Sequence, residues 1–420
     1  MASILILTLV FPPDNVSTAQ IMAELALDLR QAGHFVRVLT TTPHFNDDPR
    51  AKQGQPLRNY LGRLIQKSVF NGIPVYHVRM PRKGPSRLVR ILAWLGFHLV
   101  STGYGLCLRS RPDVVFAPSP PLTIGVSAWI LGCRYHVPFI YNVQEIYPDV
   151  AVHLGVLRNR LLIRAMLILE QFVYRKAIAL TTISEGMRNR LLSKGVPAEK
   201  VHLIPNFVDV TELTPLPKDN DFSRTYGLHE KFVVSYAGNM GKTQGLEVLL
   251  QAAHLLNDDT GIHFLLMGDG SERNSLQQLG EALRLRNLTL LPSQPYSVMA
   301  QVYGASDLSF VSQAIGTHND GIPSKVYRIM SCGRAVLAMS DPDSDLAYIV
   351  RESGCGAVAK PGDVVALTHV IRNASQSANE WRDRGKKGRA FVMAFNSRTC
   401  VNKRYIELIE SLTNKRVSHG

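Results

Sequence analysis

Residues 3–40 read SILILTLVFPPDNVSTAQIMAELALDLRQAGHFVRVLT. Residues 3–10 are an apolar run of strand length, and Ala19–Ala32 follows with Ile21, Leu25, Ala26 and Leu29 at helical spacing on one face. Gly33 closes that helix, and His34–Thr40 resumes as a strand. Strand, helix and strand within 40 residues is the pattern of a parallel pair joined by a crossover helix. No basic segment precedes the first run, so it reads as a buried strand and not as a secretory leader.

Working outward, the same rhythm recurs. Val75–Arg79, Asp113–Ala117, Phe139–Val143 and Ala179–Ile183 are further short strands. In the second half, Phe232–Ala237, His263–Met267, Leu288–Leu291, Leu308–Val311, Ala335–Ala338 and Gly356–Val358 repeat it. Two such sets predict an α/β protein of two doubly wound parallel-sheet domains facing a cleft. The predicted domains are 1–207 and 208–420, divided after Ile204-Pro205-Asn206-Phe207 where a polar, proline-containing stretch begins. A last helix at about Ser397–Thr413 is placed to cross back to the first domain.

The chain has 420 residues, 45% apolar and 19% charged, which excludes disordered, collagenous and coiled-coil classes. No apolar run reaches the roughly 18 residues of a spanning helix. Cys107, Cys133, Cys332, Cys355 and Cys400 are far apart and lack metal-ligand spacing, so they read as reduced core residues of a cytoplasmic protein. The net charge of +14 is uneven: residues 1–210 carry 24 Lys and Arg against 12 Asp and Glu, the remainder 23 against 21. Asymmetry of this kind bears on partners more than on folding.

In open parallel sheets, ligands bind beyond the carboxyl ends of the strands. After the first strand comes Phe11-Pro12-Pro13-Asp14-Asn15-Val16-Ser17-Thr18, which is not a dinucleotide fingerprint. It reads either as a rigid proline turn leading to a helix cap or as a loop lining a ligand. The strand at 232–237 ends in Gly238-Asn239-Met240-Gly241-Lys242-Thr243-Gln244-Gly245, ahead of a helix. Glycines there let backbone N–H groups approach a phosphate, and Lys242 adds a full charge; the alternative is a simple tight turn. The next strand ends in Gly268-Asp269-Gly270. Lys325 opens the helix after His318–Ser324, against the dipole preference, which makes sense beside an anion; otherwise it is an exposed lysine on a solvated turn.

Together these segments resemble the family 4 glycosyltransferases of the two-domain GT-B fold, in particular bacterial enzymes of O-antigen, capsule and colanic-acid-like polysaccharide synthesis. The resemblance spans nearly the whole chain. It rests on Phe11-Pro12-Pro13, Ile140–Asp149, Ile183-Ser184-Glu185, Ile204-Pro205-Asn206, Tyr236–Gly241 with Gln244–Glu247, Met267–Gly270, and Pro323-Ser324-Lys325 leading to Cys332-Gly333-Arg334. It implies an acceptor on the first domain and a nucleotide-diphosphate sugar on the second. Carried over by residue, Gly238, Asn239, Gly241, Lys242, Gln244 and Gly245 would border the donor pyrophosphate. Gly268 and Gly270 would let the nucleotide lie against the sheet. Gln294, Pro295 and Tyr296 fall on the loop that contacts the base, and Ser324 and Lys325 would reach the phosphates. Relatives carry an Arg and a Lys where this chain has Asn239 and Gln244. The family's two glutamates, eight positions apart, fall on Asp320 and Arg328; Asp320 keeps a carboxylate near the sugar, whereas Arg328 accepts no hydrogen bond. On the acceptor side the resemblance points to Pro13, Asn15 and Tyr147, and to Glu145 as base or hydroxyl anchor; Glu145 also reads as a helix-capping carboxylate.

Glycosyl transfer builds negative charge on the departing diphosphate, so cations there are the chief catalytic need. Lys242 and Lys325 suit that task, and the resemblance implies retention of anomeric configuration. His44 and His153 read as loop residues. Asp341-Pro342-Asp343-Ser344-Asp345 holds a D-x-D pattern but precedes a helix, which favours capping over metal binding. No metal and no cofactor beyond the nucleotide-sugar co-substrate is expected. Basic residues around Ile91–Val100, with Trp94 and Phe97, and around Leu157–Ala179, with Arg158, Arg160, Arg164, Arg175 and Lys176, suit an anionic membrane surface. That predicts a peripheral enzyme at the inner face of the cytoplasmic membrane, acting on a lipid-linked saccharide. The rival readings are a nucleotide-sugar 2-epimerase and, from charge alone, a nucleic-acid binder; the chain carries no recognisable nucleic-acid reader.

Overall fold

The computed structural model describes residues 1–14, 16–44, 53–81, 87–153, 155–313 and 321–417. The chain divides into two compact units, one formed by Met1–Pro205 with Val401–Gly420, the other by Asn206–Cys400.

The first unit holds β1 (Ser3–Leu7), β2 (Phe35–Thr41), β3 (Arg58–Leu61), β4 (Ile65–Phe70), β5 (Ile73–Val78), β6 (Val114–Pro118), β7 (Phe139–Val143), β8 (Ala179–Thr182) and β9 (Val201–Leu203). They form one sheet in the order β3-β4-β5-β2-β1-β6-β7-β8-β9. β1 pairs in parallel with β2 on one side (Ser3 opposite Phe35) and with β6 on the other (Ile4 opposite Val114). Every residue of β6, β7 and β8 is buried, as expected where helices cover both faces of a parallel sheet.

The edge departs from the expectation of a purely parallel sheet. β3, β4 and β5 pair antiparallel, and β4 turns into β5 through Asn71-Gly72, both with positive φ. An Asn-Gly pair between two strands is the two-residue hairpin turn, and the sequence reading took only β5 from this region. The helices Arg87–Leu106 and Arg160–Lys176 both pack on helix Ile124–Tyr135, the latter through an edge-to-face contact of Phe172 with Trp129. Phe97 is fully buried, so it belongs to the core and not to an outward apolar face with Trp94. The returning helix Arg398–Val417 places Tyr405 edge-on to Phe116, its hydroxyl accepting a hydrogen bond from Asn142 Nδ2 at 3.0 Å.

The second unit holds β10 (Phe232–Ala237), β11 (Ile262–Met267), β12 (Leu288–Leu291), β13 (Leu308–Ser312), β14 (Ala335–Met339) and β15 (Gly356–Ala359), all parallel, in the order β12-β11-β10-β13-β14-β15. Two apolar clusters pack this sheet, one around Val311, Met330 and Val336, the other around Leu249, Phe264 and Leu337. Of the five thiols only Cys332 and Cys355 are buried; Cys107 and Cys133 are exposed, so the expectation of five core cysteines fails for them.

Candidate active site

In each unit the strand order reverses beside the first strand. In the second unit that point lies between β10 and β13, where the crossovers leave in opposite directions and open a crevice at the carboxyl ends. The segments there are Gly238–Gly245, after β10, and the helix Lys325–Ser331, which follows β13.

The glycine turns after β10 and β11 are fitted backbone to backbone. Gly238 N–H donates to Met267 O at 2.9 Å, and Met240 N–H to Asp269 O at 2.9 Å. A Cβ on Gly268 would lie 1.8 Å from the carbonyl oxygen of Gly238, and one on Gly270 would lie 2.4 Å from that of Met240. Both glycines also hold φ near +150°, which side chains rarely adopt. The glycines are therefore needed where two chain segments cross at the carboxyl ends of β10 and β11.

Lys325 lies over this turn. Its ammonium is 4.0 Å from the centre of the Tyr236 ring and would be 3.0 Å from a Cβ on Gly238. Although the residue keeps part of its exposure, desolvation, reinforced by Arg328 one turn on, pushes its pKa down to about 7. Lys325 is thus half-buried against the Tyr236 ring and not an exposed lysine on a solvated turn. Tyr236 organises the rest: its hydroxyl donates to Asn239 O at 2.6 Å and lies 3.3 Å from Gln244 Oε1. The structure thus brings Gly238, Asn239, Gln244, Gly268, Gly270 and Lys325 together. Gly245 takes a left-handed conformation at the end of the short turn Lys242–Gln244, and Gly241 starts that turn. Lys242 is exposed on it and makes no ion pair among the described residues.

Gln294 and Pro295 lie on the loop after β12, where Gln294 Nε2 donates to Pro292 O at 3.2 Å. The Tyr296 ring is covered by the Arg328 guanidinium at 5.2 Å. This contact joins the loop after β12 to the helix Lys325–Ser331. Ser324 immediately precedes the Lys325 helix. Asp320 and Asn15 lie outside the described residues.

In the first unit the reversal lies between β1 and β6. Pro13 sits in the loop after β1. Ser119, just past β6, accepts the N–H of Gln144 at 2.9 Å and of Glu145 at 3.3 Å, fixing the segment that leaves β7. Glu145 and Tyr147 are both half-buried there, and burial, with the nearby Glu145 carboxylate, raises the Tyr147 phenol above its usual range. The helix that follows begins at Asp149, its own first-turn acid, so Glu145 stands ahead of it. His44 is a loop residue but a buried one: its N–H donates to the buried Asp14 carboxylate at 3.0 Å, and its Nδ1 lies 3.0 Å from Thr41 Oγ1. His153 is exposed. The D-x-D stretch places Ser344 as the cap of helix Asp345–Ser353, its hydroxyl accepting Ala347 N–H at 3.0 Å.

Sequence reasoning missed Ser119 and named Tyr236 only as the first residue of the Tyr236–Gly241 motif, with no role of its own; each acts by holding a neighbour.

Comparison with known proteins bears on the whole chain. Residues 18–206 match the family model described as glycosyl transferase 4-like domain, and residues 218–391 the one described as glycosyl transferases group 1. The chain is 26% identical over 384 residues to the colanic acid biosynthesis glycosyl transferase WcaI of Escherichia coli (strain K12), covering 88% of this chain and 91% of that protein. It is 27% identical to the glycosyltransferase WbjE of Pseudomonas aeruginosa over 70% of this chain and 74% of the relative. Among solved structures, Anabaena Alr3699/HepE in complex with UDP superposes with a TM-score of 0.73 at 16% identity, covering 97% and 100% of the two chains. Sucrose-phosphate synthase (tll1590) from Thermosynechococcus elongatus gives 0.74 at 16% over 99% and 100%. At those identities the structural likeness speaks for the fold alone. With both family models matched in order, the chain belongs to the glycosyltransferases of the GT-B fold that pair a glycosyl transferase 4-like domain with a group 1 domain.

Proposed function

We propose that this glycosyltransferase moves a sugar from a nucleotide-diphosphate sugar, held by the second unit, to a lipid-linked saccharide held by the first, in cell-surface polysaccharide synthesis. The observation that carries the reading is Lys325, a cation over the Gly238 turn where the second sheet reverses. As the bond from the sugar carbon to the diphosphate oxygen breaks, the electron pair goes to the diphosphate, and a cation there stabilises the developing charge. The acceptor oxygen bonds the same carbon, and its proton passes to a donor phosphate oxygen, which gives retention. Lys325 and the exposed Lys242 supply this charge without a metal ion. Glu145, set beside Tyr147, anchors the acceptor hydroxyl. In support, HepE is described in complex with UDP and with UDP-glucose, and WcaI as a colanic acid biosynthesis enzyme.

The same reading places the enzyme on the inner face of an anionic membrane. Among the described residues no helix is long and apolar enough to cross one. Helix Arg87–Leu106 exposes Leu92, Trp94, Leu95 and Leu99, and helix Arg160–Lys176 exposes Leu161, Leu162 and Ile168. Arg158, Arg160, Arg164, Arg175 and Lys176 are exposed beside the second of these stripes, a combination suited to anionic headgroups.

The test is a screen of nucleotide sugars, reading released nucleoside diphosphate by mass spectrometry with and without a prenyl-diphosphate monosaccharide. Acceptor-dependent release that survives EDTA, giving a product of retained configuration, is expected. Acceptor-independent isomerisation of the sugar would overturn the proposal in favour of the epimerase. Failure to sediment with phosphatidylglycerol vesicles would remove the membrane reading alone.

A further inference from the structure

The segment Gln144–Pro148 is pinned at both ends. At its start, Ser119 Oγ accepts the N–H groups of Gln144 and Glu145. At its far end stands Asp149, whose Oδ1 accepts Lys194 Nζ at 2.8 Å and whose Oδ2 accepts Arg190 Nε at 2.8 Å. The same Lys194 ammonium donates to Glu170 Oε2 at 2.8 Å. Lys194 and Asp149 retain about a tenth of their side-chain exposure (9% and 11%), and Glu170 has none.

The network draws its groups from three successive helices, with Arg190 and Lys194 both at the end of the third. Asp149 begins the helix after β7, Glu170 lies on the inner side of helix Arg160–Lys176, and Lys194 is the cap residue closing helix Glu185–Ser193 after β8. Lys194 is fixed from its backbone as well, since its N–H donates to Arg190 O. The paired cations hold the Asp149 carboxyl below its usual range, whereas burial raises that of Glu170.

Stability alone is a weak reason for such a group. Withdrawing charges from water offsets much of what their attraction returns, and apolar side chains of similar volume commonly serve as well. What a buried ion pair adds is direction, since only one arrangement satisfies all its members. Here that arrangement fixes Asp149 only two residues beyond Tyr147.

We propose that Lys194 is a positioning residue for acceptor binding: through Asp149, and backed by Glu170, it sets the strand-end segment that carries Glu145 and Tyr147. The inference rests on the reading of that segment as the acceptor edge. Lys194 itself touches no substrate. The donor turns in the second unit share no residue with this network, so its loss is felt in the acceptor step alone.

The experiment compares wild type with Lys194→Met, Lys194→Arg and Glu170→Gln. The full-length proteins are assayed with the prenyl-diphosphate monosaccharide as varied substrate, and nucleotide-sugar affinity is measured separately by calorimetry. Lys194→Met should raise the acceptor KM by roughly tenfold or more, as a displaced positioning group does, with donor affinity unchanged. Lys194→Arg should restore most of the loss, and Glu170→Gln should give an intermediate KM. A folded Lys194→Met protein with wild-type acceptor KM would overturn the inference. Where Lys194→Met does not fold, an unmoved KM in folded Glu170→Gln overturns it equally. A wild-type enzyme without acceptor-dependent turnover would instead fail the functional reading.

Discussion

Replacing Lys325 tests the donor site from two directions. With its pKa pushed down to about 7, this lysine is roughly half protonated at neutral pH in the free enzyme. A bound diphosphate is an opposite charge and returns the group toward its ordinary value of about 10.4. Binding at pH 8 should therefore take up about 0.9 proton per nucleotide sugar, and Kd should weaken about tenfold for each pH unit above 7. A nucleotide sugar has no terminal phosphate titrating in this range, so the uptake reports the protein. Calorimetry in buffers of different ionisation enthalpy measures it directly. Lys325→Met should abolish both the uptake and the pH slope and lower kcat by roughly 10²–10³, the effect of losing one transition-state charge contact. Stability should move the other way. A lysine whose folded pKa lies below its unfolded value destabilises the fold most at pH 7 and below, and the cost fades as pH rises through 10. Lys325→Met should thus be more stable than wild type at pH 7, by about 2 kcal/mol after discounting for partial solvent screening, and no more stable near pH 10.5. A folded Lys325→Met enzyme with wild-type turnover would refute the placement of this cation on the diphosphate, and proton uptake near zero at pH 8 would refute the lowered pKa of Lys325 in the free enzyme.

Other outcomes follow from the same geometry. Glu145→Gln should reduce transfer by roughly 10²-fold while leaving nucleotide-sugar affinity within about twofold, read by steady-state rates beside calorimetry. Gly268→Ala should lose donor binding and destabilise the protein by about 3 kcal/mol or more in denaturant titrations, because its Cβ meets the Gly238 carbonyl at 1.8 Å. Ser344→Ala should cost about 1 kcal/mol through loss of the cap, with turnover unchanged, and Asp343→Asn should likewise retain activity; a metal role for that stretch would make both variants inactive.

Much of this architecture is legible in the chain itself. Residues 3–40 specify a strand, a crossover helix and a parallel strand because their periodicities change where the polar turns fall, and ten of the strands were visible in the same way. The edge hairpin was less visible. β3 is fully exposed and only four residues long, so no apolar run announces it, although Asn71-Gly72 names the turn. At the site, the glycine turns were legible because close backbone approach demands that residue. The enclosure of Lys325 was not, since it depends on Tyr236, 89 positions earlier in the chain. His44 shows the same limit: its burial against Asp14 comes from two strand ends meeting in space. Phe97 and Trp94, three residues apart on one helix, read in the sequence as a single aromatic face, but one helical turn does not tell inside from outside.

The return of the last helix to the first unit has a consequence for how the protein is made. Tyr405 and Ile409 complete the first unit's core, yet they are synthesised about 200 residues after Pro205. At about 5–20 residues per second, a ribosome takes roughly 10–40 s to cover that distance. The intervening unit is continuous in sequence and needs nothing later than Cys400. The domain begun first is therefore finished last, waiting with Phe116 and Asn142 uncovered until the closing helix emerges. A nascent chain arrested before residue 401 would present that opening to chaperones, whereas its younger neighbour would already be protease-resistant.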